Sequence, residues 1–354
     1  MDDASANALL DEGLSRLAVT GPEFRGGLSN HGPMAAEAMV RLGRAEAVES
    51  WLDGYLRRLD EPPAPSDRIT DQTWRESLGA INRVADWDRY FRAQLAEEPW
   101  RDVLARWWPR LLPGLAAAAT HGVIRTSHAA RSLAAAEQAG ADTTGRTSEL
   151  GRGLAYWSAR YLELPGPART EGRLDLAAAV SGLPVAAGEP AAGLIFETLK
   201  AELADQPGFA TAVGALRGPT DVPADLAALA REFARVFLLY GRTRPIALLH
   251  AVTAPVAARS ALPLLPAELA RPTYDALWQV SAALYAVYGG GVTAEPLPVG
   301  APPSADELTD RAVATGDEHA IKLTEACLRL YAESPDPVFL HTAARASELL
   351  GRRP

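Results

Sequence analysis

Ala224-Asp225-Leu226-Ala227-Ala228-Leu229-Ala230-Arg231-Glu232-Phe233-Ala234-Arg235-Val236-Phe237-Leu238-Leu239 reads as helix. The stretch is dominated by Ala, Leu, Arg and Glu, which lose little side-chain freedom in a helix. The same composition recurs at 33–42, 45–59, 87–94, 100–110 and 307–329, while sustained Val/Ile/Thr alternation is scarce. Pro/Gly clusters interrupt these segments at 61–66, 164–167, 182–193, 218–223 and 294–303. The pattern predicts an all-α fold: one large helical domain over residues 1–354, with helices joined by Pro/Gly-rich loops. The 294–303 stretch reads as a stiff connector, and Gly289-Gly290-Gly291 as a helix stop without the flanks of a nucleotide-binding loop. No repeat of fixed period is present, which argues against a solenoid.

A chain of 354 residues buries a substantial core, and 48% hydrophobic with 22% charged residues describes a globular protein. The net charge of −9 argues against nucleic acid as a partner, because phosphate binding needs a basic face. The acidic start, Met1-Asp2-Asp3, lacks the basic region of a secretory signal. Apolar runs such as 114–120 and 246–256 fall short of the ~20 residues of a membrane span. The single cysteine, Cys327, excludes an internal disulfide and reads as core packing. Together these features predict a cytoplasmic protein with no membrane partner. They leave its oligomeric state open.

The basic residues are uneven in kind. All but two of the 35 are arginine, the exceptions being Lys200 and Lys322. A position that keeps lysine offers an amine that can lose its proton or be modified, which a guanidinium does not. Lys322 follows His319 by three residues, so on a helix the two side chains share a face. An ordinary lysine on the surface of an amphipathic helix is the plain alternative.

The six histidines are His31, His121, His128, His250, His319 and His341. His31 stands just before Gly32-Pro33, where a proline opens a helix. His121 and His128 are seven apart, on one face if the segment is helical. His250 lies in an apolar run where an unpaired imidazole is costly. Taken singly, such histidines are more often hydrogen-bonded structural side chains than ligands. As a set, with Lys322, they supply nitrogen and oxygen donors suited to a metal. Several common patterns are missing: Glu-x-x-His pairs, His-Glu-x-x-His, Gly-x-Ser-x-Gly, and Gly-x-Gly-x-x-Gly after a strand.

Four blocks, Ser29-Asn30-His31-Gly32-Pro33-Met34, His121-Gly122-Val123-Ile124-Arg125, Leu249-His250-Ala251-Val252-Thr253 and Glu318-His319-Ala320-Ile321-Lys322, resemble the questin oxidase-like family in their joint order over residues 29–322. The resemblance implies an all-helical oxygenase acting on polycyclic aromatic polyketides such as anthraquinones. It covers both iron-dependent ring-opening dioxygenases and Baeyer–Villiger-type oxidases. In the former a mononuclear Fe(II) that uses O2 is held by four histidines and a carbamylated lysine. Carried over, these are His31, His121, His250, His319 and Lys322, with His128 as an alternate.

Members carry a further histidine four residues after the position of His121, where this chain has Arg125. As a fixed guanidinium fork, Arg125 is a candidate to stabilise an anionic substrate oxygen; an ordinary surface or core-bridging arginine is its plain alternative. Trp107, Trp108, Tyr156, Trp157, Tyr240, Trp278, Tyr285 and Tyr288 are candidates for a flat apolar pocket, although most such residues serve a core. Two other readings stand beside the iron enzyme. One is a cofactor-free or NADPH-dependent Baeyer–Villiger oxidase with histidines as acids and bases. The other is a non-catalytic helical protein that holds an aromatic metabolite.

Overall fold

A computed structural model describes residues 1–204, 206 and 208–351. Among the described residues there are sixteen α-helices and a single two-stranded hairpin, so the fold is all-α. The contacts gather into two compact units.

The first unit holds Met1–Leu162 with Pro263–Pro266. Its helices are α1 (Asp3–Leu17), α2 (Gly32–Arg41), α3 (Val48–Tyr55), α4 (Val84–Glu97), α5 (Trp100–Leu111), α6 (His121–Gln138) and α7 (Thr144–Ala159). The hairpin Glu23–Phe24 with Leu28–Ser29 leads into α2. Asp2 caps α1 by accepting the Ser5 amide at 2.8 Å, which satisfies one of the amides every helix start leaves open. Trp87, Trp107, Trp108 and Trp157 are fully buried, with Trp108 and Trp157 edge to face at 5.3 Å. These tryptophans are core, as are Tyr156 and, in the other unit, Trp278.

Helices α6 and α7 approach closely because glycine faces helix on both sides. A Cβ on Gly122 would lie 2.7 Å from Trp157 Cβ, and one on Gly153 would lie 3.0 Å from Thr126 Cα. The residue after His121 is thereby fixed to small size.

The second unit holds Glu163–Leu262 and Ala267–Pro354. Its helices are α8 (Leu176–Ser181), α9 (Ile195–Ala204), α10 (Phe209–Gly214), α11 (Val222–Tyr240), α12 (Pro245–Ala261), α13 (Ala270–Tyr288), α14 (Ala305–Thr315), α15 (Glu318–Glu333) and α16 (Pro337–Leu350). Helix α12 packs against α11, α13 and α15. It runs beyond the apolar run 246–256 that the sequence marks. With the turn that follows, Pro245–Leu264 is long and apolar enough to cross a membrane by length and composition, yet most of it is buried, as a core helix is. Cys327 is buried, and burial pushes its thiol pKa upward.

The helical stretch expected over 307–329 is divided. Gly316, at φ +65°, ends α14 in the left-handed region, and the Asp317 carboxylate starts α15 by accepting the His319 and Ala320 amides at 2.8 and 3.2 Å. The expected loops at 61–66, 164–167, 182–193 and 294–303 carry no helix or strand. At 218–223 the loop ends earlier, because Val222 and Pro223 form the first turn of α11.

Candidate functional site

In the second unit the capping of α15 decides where His319 and Lys322 point. Asp317 fixes the first turn, so His319 sits in that turn and Lys322 one turn on, both buried. His250, on α12, is fully buried, and its ring stands edge-on to His319 with centroids 5.7 Å apart. His250 Nδ1 lies 2.5 Å from the Ile246 carbonyl. A carbonyl only accepts, so Nδ1 carries the proton and Nε2 the lone pair. Burial, then the charges of His319 and Lys322, hold the His250 pKa well below its usual value, so this ring is neutral at physiological pH.

Lys322 is 2% exposed, and its Nζ makes no hydrogen bond among the described residues. Burial pushes its pKa down to about 8, against the opposing pull of Glu318 and Asp317. Burial would raise Asp317, but the hydrogen bond and charge of His319 and two backbone amides hold its carboxyl at about 2. The reading of Lys322 as a surface lysine is overturned.

In the first unit His31 and His121 stack, with ring centroids 4.4 Å apart and planes 18° from parallel. His31 stands at the N-cap position of α2, with Pro33 in the first turn. Its backbone amide donates to Tyr55 Oη at 2.6 Å. Asn30 braces the same loop: its amide donates to the Gly21 carbonyl at 2.9 Å and its Oδ1 accepts the Gly32 amide at 2.9 Å.

His121 opens α6 after an unusual turn. Ala118, Ala119 and Thr120 have φ of +47°, +55° and +72°, a left-handed run without glycine. Each such residue costs about 1–2 kcal/mol. The turn brings the Ala118 carbonyl within 2.5 Å of His121 Nδ1, again assigning the proton to Nδ1 in the neutral ring and the lone pair to Nε2. A backbone carbonyl on the far nitrogen is how metal-binding histidines are commonly oriented.

Arg125 and His128 continue along α6 and are both buried. The Arg125 fork is engaged by Glu149, with Nε to Oε1 at 2.6 Å and Nη2 to Oε2 at 2.9 Å. Nη1 takes no part in that pair. His128 Nδ1 is 2.9 Å from Glu37 Oε2, in a cluster where Arg131 and Arg41 also bond Glu37. Burial would raise the Glu37 pKa, but Arg131, His128 and Arg41 hold it well below the usual range. His341 is partly exposed on α16.

Each unit thus assembles part of the expected set by itself: His31 with His121 in the first, and His250 with His319 and Lys322 in the second. Sequence reading missed the left-handed turn ahead of His121 and the buried Glu37, Arg131 and Glu149 partners. An alanine run carries no sign of positive φ, and a lone Glu carries no sign of burial.

No family model and no curated protein matches the chain.

Proposed function

We propose that this protein is a non-heme iron-dependent oxygenase of the questin oxidase-like kind, which oxidises a polycyclic aromatic polyketide such as an anthraquinone or its hydroquinone. The observation that carries the reading is the Lys322 amine, buried beside His319 and His250 and without a hydrogen bond among the described residues. A charged amine in that position is costly. Two remedies exist: loss of the proton, or conversion to a carbamate that binds a cation.

With a pKa near 8, roughly a tenth of the amine is neutral at pH 7. The neutral nitrogen forms a bond to the carbon of CO2 and releases one proton, leaving an anionic oxygen donor. The proposed ligand set is His31, His121, His250, His319 and carbamylated Lys322. The fit is chemical. His121 and His250 present Nε2 lone pairs because their Nδ1 protons go to backbone carbonyls, and imidazole with carboxylate-like oxygen suits iron.

Iron(II), when bound, supplies one-electron chemistry with O2 that an organic side chain does not. The chain's part is to keep His250 neutral, to orient His121 and His250 through their carbonyl partners, and to offer a charged donor to the substrate. Arg125 fills that last role through Nη1, stabilising an anionic phenolate or enolate oxygen.

The test is metal analysis of protein purified without added metal, followed by a Lys322→Ala preparation, with O2 uptake measured on a panel of hydroquinones. Iron near one per chain, its loss in the variant, and activity that a chelator removes and Fe(II) restores are expected. Metal-free protein with full activity overturns the ligand set and favours a cofactor-free or NADPH-dependent oxidation. Tight binding of quinones without O2 uptake overturns catalysis.

A further inference from the structure

Arginine gathers around one cavity of the first unit in numbers its carboxylates do not match. The cavity has a volume of about 550 Å³, within the roughly 300–1,000 Å³ usual for small-molecule sites. Pro22, Pro63, Val84 and Ala155 form apolar wall. Four guanidiniums, Arg89, Arg92, Arg125 and Arg152, line it with a single carboxylate, Asp88.

The pairing of each arginine shows where charge is left over. Arg89 donates to the Asp67 carbonyl at 2.6 Å and lies 3.5 Å from Asp86, and its side chain is half exposed. Arg92 is hydrogen-bonded to Asp88 Oδ2. Arg125 is bound by Glu149 through Nε and Nη2. Among the described residues Arg152 has only a 3.9 Å approach to Asp88 Oδ1, a carboxylate Arg92 already holds, and no hydrogen bond of its own.

Asp88 and Glu149 therefore face Arg92, Arg125 and Arg152, two negative charges against three positive. The surplus lies between Arg125 and Arg152, which are near enough for the charge of one to disfavour that of the other. Arg125 lines the cavity with a side chain only 5% exposed, and its Nη1 is the guanidinium nitrogen that Glu149 leaves unused.

We infer that this cavity binds an organic monoanion: one carboxylate or equivalent planar anionic group held by Arg125 and Arg152, on an apolar ring body held by the proline and aliphatic wall. Guanidinium matches a planar two-oxygen acceptor better than a point charge does. The proline and aliphatic side chains of the wall suit an apolar body. A small inorganic anion satisfies the arginines but leaves most of the volume unfilled. The inference uses the same Arg125 Nη1 that the iron reading turns toward the substrate, but needs neither iron nor Lys322, and binding is measured without turnover, so the two fail separately.

The experiment is calorimetric titration of the whole protein, with and without a chelator, using three probes: 2-naphthoate, its neutral methyl ester, and acetate. The acid is expected to bind at least about tenfold more tightly than the ester, the worth of one charge-assisted contact of about 1.4 kcal/mol. Acetate, which has the charge without the body, is expected to bind too weakly to measure. Arg152→Met is expected to lower the affinity for the acid by a similar factor while leaving the ester unchanged, and Arg152→Lys to fall between. Equal affinity for acid and ester, no binding of the acid at millimolar concentration, or unchanged binding in a folded Arg152→Met overturns the inference. The comparison of acid with ester uses unaltered protein, so the result does not depend on how the variants fold.

Discussion

Lys322 carries a consequence for stability that is independent of catalysis. In iron-free, CO2-free protein its amine titrates near pH 8, whereas in the unfolded chain it does so near 10.5. That gap corresponds to about 3 kcal/mol of lost stability. The unfolded state binds more protons than the folded state between those two values, so stability rises with pH across that window. Below pH 8 both states hold the proton and the full penalty applies; above about 10.5 neither does. Lys322→Met is accordingly expected to stabilise the iron-free protein by about 3 kcal/mol at pH 7, with the gain shrinking toward zero by pH 10.5. Urea denaturation of both proteins at several pH values measures it, and a gain that does not vary with pH refutes the titration. The sequence made this residue legible: two lysines among 35 basic positions single it out, and the three-residue spacing from His319 places the pair on one face. Its burial was not legible, since the surrounding Ala320, Ile321 and Leu323 fit an amphipathic surface helix equally well.

At the level of elements, composition gave the helices and hid their exact ends. Residues 224–239, read from Ala and Leu content, lie within α11 at Val222–Tyr240. The stretch 307–329 conceals a break, because one glycine inside a helical composition is usually tolerated. Here Gly316 adopts a left-handed φ and Asp317 restarts the helix. The turn before His121 is harder still, since the apolar run holding Ala116, Ala117, Ala118 and Ala119 is made of the best helix former and two of these alanines are left-handed. That conformation is testable by a matched pair. Ala117→Gly and Ala119→Gly each remove a buried methyl and loosen the unfolded chain. Only the second relieves a positive φ. Ala119→Gly is therefore expected to be more stable than Ala117→Gly by about 1–2 kcal/mol. Equal thermal or urea stability of the two variants means that the turn holds no strain.

For the whole molecule, the proposed ligands are spread from His31 to Lys322 along the chain, so an ion held by them would bind the folded state alone. An ion that binds the folded state and not the unfolded one stabilises it by mass action, about 2.7 kcal/mol at a concentration a hundredfold above its Kd. For a chain of 354 residues, at about 2 cal/mol/K of unfolding entropy per residue, each kcal/mol moves the Tm by about 1–2 °C. Iron at saturation in the presence of bicarbonate is therefore expected to raise the Tm by roughly 3–5 °C, and chelation to reverse the shift. Lys322→Ala separates this from nonspecific binding: it removes the amine and so the carbamate, and its Tm is expected to respond little to iron while Arg152→Met responds as the unaltered protein does. Anaerobic calorimetry with Fe(II), with and without bicarbonate, measures all three proteins. An iron shift of equal size in Lys322→Ala removes Lys322 from the ligand set, and no shift in the unaltered protein removes the ion.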